Sequence, residues 1–168
     1  MHRQSEKPTP ITFAPIGTIH SPYKELKGMP IQPNGARGVR GSVEIFPAYR
    51  DGIRDLEGFS RIFLIFAFHK STGYDLIVKP FLDTTPRGVF STRAPKRPSA
   101  IGISIVRLIG IHGFTLDIED VDVLDGTPLL DIKPYVPAFD AYPDAASGWL
   151  ETVVHAAGST RSDNRFTR

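Results

Sequence analysis

The sequence contains no cysteine, which excludes disulfide bonds, thiolate metal sites and cysteine nucleophiles. It also lacks a long hydrophobic run. The longest, residues 62–68, has seven residues, against about 18 for a membrane-spanning helix. The N-terminal residues have no apolar core of the kind found in signal peptides. We therefore expect a cytoplasmic protein that has no membrane partner.

Several common catalytic and binding motifs are missing as well. No G-x-G-x-x-G follows a predicted strand, so a doubly wound nucleotide-binding fold has no support. There is no G-x-S-x-G elbow and no phosphate-binding loop, which leaves standard hydrolase chemistry without a signature. The histidines are never three to five residues apart, so we expect no metal site; they are His2, His20, His69, His112 and His155.

The charges are unevenly distributed, although the net charge is only +2. Residues 79–107 carry six cations and one acid, whereas residues 115–151 carry nine acids and one cation. A basic face favours an anionic partner, most commonly a nucleic acid. The alternative is a solvated basic loop whose cations pair with the acids of the same chain.

The pattern of short apolar runs predicts a mainly β protein. Fifteen glycines and fifteen prolines separate these runs, which favours tight turns over a helical bundle. A turn is predicted at His112-Gly113, a bulge at residues 119–120, and a short helix at 51–56 with Asp51 as its N-cap. We predict strands at residues 11–19, 41–46, 61–68, 74–81, 88–92, 100–111, 114–123 and 129–132.

The length of 168 residues suits one compact domain. Six to eight strands with few short helices indicate a small closed barrel or a sandwich. We expect a flexible N-terminus at residues 1–10, a single β domain at 11–145 and a C-terminal segment at 146–168. Because residues 156–168 contain few apolar side chains, the end of this segment is expected to fray.

Three segments are candidates for chemistry, and each has a plain structural alternative. Residues 29–33 form a proline-bracketed loop around one amide, Gln32, and would otherwise be a rigid connector. His69 ends the most apolar strand, where a histidine acts either as a base or as a structural hydrogen-bond donor. Residues 124–128 contain an Asp-Gly turn, which either only reverses the chain or presents its backbone groups to a ligand.

These segments and their neighbours resemble the TrmO (YaeB-like) family. The resemblance rests on IGTIHSPYK at residues 16–24, LEGFSRIFLIFAFHK at 56–70, GVFSTRAPKRPSAIGISIVRL at 88–108 and LDGTPLLDIKPYVPAFD at 124–140. The proline-glutamine loop at 29–33 fits the same pattern, and all five motifs occur in the family order. The resemblance covers residues 16–140, which is most of the chain.

The resemblance implies a methyltransferase that uses S-adenosylmethionine and is built on a small antiparallel or mixed β-barrel. Similar proteins methylate N6 of N6-threonylcarbamoyladenosine at tRNA position 37, as homodimers that bind the cofactor near the subunit boundary. This chain departs from the family at three positions. Ser99 and Ala100 replace asparagine and proline, and Ile31 replaces a common arginine.

By motif, the resemblance also implies which residues bind each ligand. The cofactor contacts fall on Pro30, Ile31, Gln32, His69, Lys70, Arg93, Ile103, Leu124, Asp125, Gly126 and Thr127.

The remaining roles follow from the chemistry of the reaction that the resemblance implies. Arg93 is suited to the carboxylate of the cofactor, while Arg87, Lys96 and Arg97 are expected to face RNA phosphates. His69 is the candidate proton acceptor, with Asp131 as the alternative. Two other functions stay open: a methyltransferase for another RNA or a small molecule, and a non-catalytic module that binds the cofactor or RNA.

Overall fold

The structure, a computed structural model, describes residues 9–166. Most of the N-terminus that we expect to be flexible, and the last two residues of the tail, lie outside the described residues. The strands are β1 (Gly17–His20), β2 (Arg40–Ile45), β3 (Arg61–Ala67), β4 (Ile77–Val78), β5 (Arg87–Gly88), β6 (Ile101–His112), β7 (Thr115–Glu119) and β8 (Thr127–Pro134).

Six of these strands form a closed barrel in the order β1-β2-β7-β6-β3-β8, and β8 pairs back with β1. Every pairing in the barrel is antiparallel. The predicted mainly β fold is thus confirmed, and the structure is a barrel rather than a sandwich. Closure leaves no barrel strand with an unpaired edge.

Alternate side chains of each strand point into the barrel and form one apolar core. On β3, Ile62, Leu64 and Phe66 are buried, while the residues between them are partly exposed, as the period of a strand requires. The core of the barrel contains Ile19, Val43, Ile45, Ile62, Leu64, Phe66, Val106, Leu116, Ile118, Val121, Val123 and Leu129.

One end of this core depends on a glycine. Gly102 on β6 is paired with Phe66 on β3, and a Cβ atom at Gly102 would lie 2.3 Å from Cε2 of Phe66. The absent side chain leaves room for Phe66 and Phe68, whose rings meet edge to face with centroids 5.4 Å apart. Gly102 therefore lets two aromatic rings lie directly against β6.

Several predicted elements are shorter than expected or of another type. The predicted strands at 74–81 and 88–92 reduce to a two-residue pairing of β4 with β5. Residues 89–91 form a 3-10 helix instead, in which the hydroxyl of Thr92 donates to the carbonyl of Val89 at 2.8 Å. The strand predicted at 11–19 begins only at Gly17.

The predicted helix and bulge also differ from the structure. A 3-10 helix spans Pro47–Ile53 and follows Phe46, so Asp51 lies inside it rather than at its N-cap. β7 ends at Glu119, and Asp120 adopts a left-handed conformation with φ of 70°. The carboxylate of Asp120 accepts the backbone N–H of Gly38, which fixes this corner.

Among the described residues, strand register shifts at two places, neither of them at residues 119–120: between Ile65 and Phe66 in the pairing of β3 with β8, and in the pairing of β6 with β7. The pairing of β6 with β7 shifts between Leu108 and Gly110. The predicted turn at His112-Gly113 is confirmed, because Gly113 has φ of 65° between β6 and β7.

Helical elements are short and lie between or after the strands. In residues 9–166, no helix is long and apolar enough to cross a membrane. The one α-helix is α1 (Pro137–Asp140), and the other 3-10 helices are Pro33–Ala36, Leu56–Gly58, Gly148–Leu150, Val154–Gly158 and Asn164–Phe166.

The C-terminal segment packs on the protein as far as it is described, whereas we expected it to fray. Phe166 is 9% exposed and its ring meets Phe81 edge to face, with centroids 5.1 Å apart. The guanidinium of Arg165 donates to the carbonyl of Pro80 at 2.6 Å. One aromatic contact and hydrogen bonds to the backbone thus hold a tail of low apolar content, and its composition does not reveal this.

Candidate functional site

A cleft opens at one end of the barrel, where β3 ends and β6 and β8 begin. These ends meet because both β6 and β8 run antiparallel to β3. The cleft is lined by His69 after β3, by residues 101–104 at the start of β6 and by Thr127 at the start of β8. Segments far apart in sequence therefore contribute to one site.

The lining combines apolar walls with a few polar groups. The apolar side chains include Met29, Ile31, Phe66, Phe68, Ile103 and Leu124. The polar and charged side chains are Gln32, His69, Lys70, Ser71, Arg93, Arg97, Ser104, Asp122, Thr127, Ser162 and Asp163. Apolar walls with convergent polar groups are typical of sites for small organic ligands.

The structure places most of the predicted cofactor residues in this cleft. All of them line it except Asp125 and Gly126; those that do are Pro30, Ile31, Gln32, His69, Lys70, Arg93, Ile103, Leu124 and Thr127.

The loop at 29–32 is held against the cleft by the C-terminal segment. The hydroxyl of Ser162 accepts the backbone N–H of Met29 at 2.9 Å and donates to the carbonyl of Leu26 at 2.5 Å. The backbone N–H of Ser162 donates to the carbonyl of Met29, and Pro30 forms a β-bridge with Arg161. The docked tail is thus part of the site.

The turn after Leu124 faces the cleft on one side only. Thr127 is buried, and its hydroxyl donates to the carbonyl of Leu124 at 2.7 Å. On the other side, the Asp125 carboxylate binds the ammonium of Lys24 at 2.6 Å and accepts the backbone N–H of Ser21 at 3.0 Å. These two bonds lower the pKa of Asp125. Asp125 therefore braces the turn from outside.

Arg93 and Gln32 join two walls of the cleft. The guanidinium of Arg93 donates to Oε1 of Gln32 at 2.8 Å, although the two residues are far apart in sequence. Arg97 also lines the cleft and donates to the backbone carbonyl of Thr92 at 3.2 Å. The basic loop thus places two guanidinium groups at the site.

The charged residues assigned to RNA are not equally available. Arg87 binds the carboxylate of Asp83 through Nε and Nη2, at 3.0 and 2.6 Å, and lies 5.2 Å from the ring centre of Trp149. Neither Lys96 nor Arg97 forms an ion pair within residues 9–166. Arg87 is therefore engaged in the fold, while Lys96 and Arg97 carry charges that no acid of the described residues pairs with.

A partly buried carboxylate in the cleft is missing from the sequence prediction. Asp122 follows the left-handed corner at Asp120 and accepts a hydrogen bond of 2.5 Å from the hydroxyl of Ser104, which is 3% exposed. Burial raises the pKa of Asp122 to about 6, while the hydrogen bond from Ser104 and the charge of Arg93 lower it in part. In the sequence, Asp122 is marked only by the valines on either side of it, Val121 and Val123, which the structure buries.

The two predicted proton acceptors occupy different environments. His69 lines the cleft, and burial, followed by the charge of Lys70, lowers its pKa. Asp131 lines neither this cleft nor a second cavity that adjoins it. Its carboxylate binds the ammonium of Lys133 at 2.8 Å. Within residues 9–166, no group of three or more His, Asp or Glu side chains is arranged to hold a metal ion.

Comparison with known proteins places this architecture in a family. The model of the tRNA-methyltransferase O N-terminal domain matches residues 18–141. The chain belongs to the tRNA-methyltransferase O (TrmO) family. A crystal structure of TrmO from Pseudomonas aeruginosa superposes with a TM-score of 0.71 at 39% identity, over 84% of this chain and 63% of that one.

Relatives of the TrmO family carry names of two kinds. A probable S-adenosyl-L-methionine-binding protein from Pyrococcus abyssi is 52% identical over 95% of this chain and 86% of its own length. The tRNA (adenine(37)-N6)-methyltransferase of Escherichia coli is 35% identical over 83% of this chain. The chain spans 64% of the E. coli protein, slightly less than two thirds of its length.

Proposed function

We propose that this protein is a methyltransferase that uses S-adenosylmethionine and modifies N6 of adenosine 37 in tRNA, in its threonylcarbamoylated form. Family membership and the name of the E. coli relative support the reaction. The main structural support is the single cleft, which gathers most residues that the resemblance assigns to the cofactor. Threonylcarbamoyladenosine as the acceptor rests on the resemblance alone.

The donor set of the cleft fits S-adenosylmethionine. Ile31, Ile103 and Leu124 offer apolar surface for the adenine base, and Arg93 offers a planar guanidinium for the carboxylate. When bound, S-adenosylmethionine supplies an electrophilic methyl group on a sulfonium, and the S–C electron pair returns to sulfur as the new N–C bond forms.

Asp122 is the proton acceptor that we propose for the reaction. An N6 nitrogen that gains a methyl group must lose a proton, and a carboxylate in the cleft accepts it. Ser104 holds the Asp122 carboxylate by the 2.5 Å hydrogen bond and so fixes its orientation. With a pKa of about 6, Asp122 is largely ionised at neutral pH and still basic enough for proton transfer.

His69 then has a supporting role, in contact with the cofactor or the acceptor. Its lowered pKa keeps the imidazole neutral at pH 7, so it acts as a hydrogen-bond donor or acceptor rather than as a cation. Lys96 and Arg97 are the residues that we propose for the RNA phosphates. Contacts with phosphates release counterions, so RNA binding is expected to weaken as salt is added.

We also propose a homodimer. Ile101, Ile103 and Ile109 on the outer face of β6 are 38%, 48% and 46% exposed, and the first two lie beside the cleft. A second copy that covers this face would bury them and close the site, which sedimentation over a range of concentrations would test. Cytoplasmic location stays a prediction.

One experiment tests the main proposal. The full chain is incubated with methyl-labelled S-adenosylmethionine and total tRNA, and the labelled nucleoside is identified after digestion. The expected product is N6-methylated threonylcarbamoyladenosine, and its absence from tRNA that lacks the threonylcarbamoyl group would confirm the acceptor. Label in a different nucleoside would contradict the acceptor, and cofactor binding without any transfer would favour a non-catalytic binding module.

A further inference from the structure

A second cavity adjoins the cleft and shares one wall with it. Gln32, Arg93, Ile103 and Ser104 line both spaces. From this wall the cavity extends to the 3-10 helix at Val89–Ser91 and to the C-terminal segment. A molecule in the second cavity therefore lies next to a ligand in the cleft.

Aromatic side chains dominate the far side of this cavity. Phe90 lines the cavity and is 75% exposed, so its ring is accessible to a ligand there. The indole N–H of Trp149 donates to the carbonyl of Ser91 at 2.8 Å, and Ser91 is the residue that follows Phe90. This bond holds the indole beside the 3-10 helix that contains Phe90. Tyr135 lies against Phe63 with ring centroids 5.6 Å apart. Because Arg87 lies over the Trp149 ring and Phe63 packs on Tyr135, Phe90 is the ring with the most accessible face among these three.

The charges in the cavity are predominantly positive. Its acid is Asp120, whose carboxylate is occupied by Arg61 at 3.2 Å and by the N–H of Gly38. Arg37 and Arg93 also line the cavity, and neither has an ion-pair partner within the described part of the chain. Aromatic faces next to unpaired guanidinium groups are the usual means of binding an unstacked base with its phosphates.

We propose that the second cavity receives the acceptor purine nucleotide of the RNA, turned out of its stack, with the base on Phe90 and a phosphate on Arg37. This inference rests on the proposed function, because it places the acceptor beside the methyl donor. Ser104, which lines this cavity, also hydrogen-bonds Asp122 in the adjoining cleft, so the proposed proton acceptor lies on the cleft side of the shared wall.

Trp149 provides the test, because it is the only tryptophan in the chain and it lines this cavity. Its fluorescence is followed while the full chain is titrated with an anticodon stem-loop RNA that carries adenosine at position 37, and with the same RNA made abasic there. We expect saturable quenching by the first RNA and little by the second. Equal quenching by both would overturn the proposal.

Matched variants locate the contact. Phe90→Ala is expected to weaken binding of the adenosine-containing RNA by about tenfold, whereas Phe90→Tyr restores it. The control is Phe139→Ala, since Phe139 is 63% exposed and lines neither cavity, and its RNA affinity should be unchanged. If Phe90→Ala binds RNA like the unaltered protein, the base does not stack there and the proposal is wrong.

Two further outcomes separate this inference from the proposed homodimer and from the proposed function. If Trp149 emission changes with protein concentration instead of RNA, a second copy of the chain fills the cavity, which overturns the proposal. Methylation is measured separately with labelled cofactor and tRNA that carries threonylcarbamoyladenosine at position 37, because the proposed function requires that group. Quenching without methyl transfer would support the cavity and contradict the proposed function, and transfer without quenching would do the reverse.

Discussion

Two aspartates, three residues apart, occupy opposite sides of the same loop. Asp122 faces the cleft, where burial raises its pKa to about 6, while Asp125 faces outwards and is held by Lys24, which lowers its pKa. The more conspicuous of the two in the sequence is Asp125, in its Asp-Gly turn. The comparison shows that a motif can mark the support of a cleft, while the carboxylate that lines the cleft lies just outside the motif.

The substitution Asp122→Asn is expected to have the largest effect and tests the different roles of the two aspartates most directly. Because it removes the proton acceptor and keeps the shape, we expect kcat to fall by about 10²- to 10⁴-fold. The dissociation constant of S-adenosylmethionine, measured by calorimetry, should change by less than about threefold. Asp117→Asn is the matched control, since Asp117 lies on β7 outside both cavities and should leave kcat unchanged.

A different result for Asp122→Asn would give the Asp122 carboxylate a role other than proton acceptor. If binding of S-adenosylmethionine weakens much more than binding of S-adenosylhomocysteine, which lacks the positive sulfur, Asp122 serves the sulfonium charge rather than the proton. An unchanged kcat would remove Asp122 from the reaction.

The dependence of the rate on pH is the next largest effect. An ionised Asp122 is required, so kcat/KM should fall about tenfold for each pH unit below about 6 and level off above it. Single-turnover rates measured between pH 4.5 and 8 should show this decrease at acidic pH in the unaltered protein. The decrease should be absent in Asp122→Asn. A flat profile in the unaltered protein would exclude a carboxylate base of raised pKa.

The two aspartates should affect stability in opposite directions. A carboxyl whose pKa is raised by folding disfavours the folded state once it ionises, so Asp122→Asn is expected to stabilise the protein at pH 7. The gain is expected to be on the order of a few kcal/mol at pH 7 and smaller at pH 4.5, where the Asp122 carboxyl is mostly protonated in the folded protein.

Asp125 has a lowered pKa, and its stabilising effect is lost as the pH falls below the ordinary range of a carboxyl. Asp125→Asn should therefore destabilise the protein at pH 7, by up to about 1 kcal/mol, because the pair with Lys24 is partly exposed. Denaturant unfolding at both pH values measures the two variants. Changes of the same sign at pH 7 would contradict the comparison.

The smallest expected effect comes from Ser104→Ala. Without its hydrogen bond the Asp122 carboxylate is less stabilised, so its pKa rises and the acidic limb of the rate profile moves to higher pH by roughly one unit. Ser71→Ala serves as the control, since Ser71 also lines the cleft but its hydroxyl donates to the carbonyl of Pro95. If the pH at which the rate falls shifts equally in both variants, the shift comes from any change to the cleft and not from the Ser104–Asp122 hydrogen bond.

Much of the barrel was predictable because its strands carry a local signal. The alternating and β-branched residues of β3 and β6 predict strands of nearly the observed length. Elements without such a pattern were misjudged. The short pairing of β4 with β5 and the 3-10 helix at Val89–Ser91 lie in a loop where contacts with the rest of the chain decide the backbone.

The site was predictable only as far as the family motifs reach. Those motifs indicate Gln32, His69 and Arg93, which the barrel brings to one cleft. They do not indicate Phe166, whose docking on Phe81 holds the tail against that cleft.

The sequence by itself determined that this chain is rich in β-strands, contains no cysteine chemistry and carries the motifs of one family. Only the tertiary structure decided which aspartate lines the cleft and that a second cavity adjoins it. The physical reason is that the protonation of Asp122 depends on its burial and on Ser104 and Arg93, which lie on other segments. Such neighbours are fixed when the barrel closes, and local sequence does not encode them.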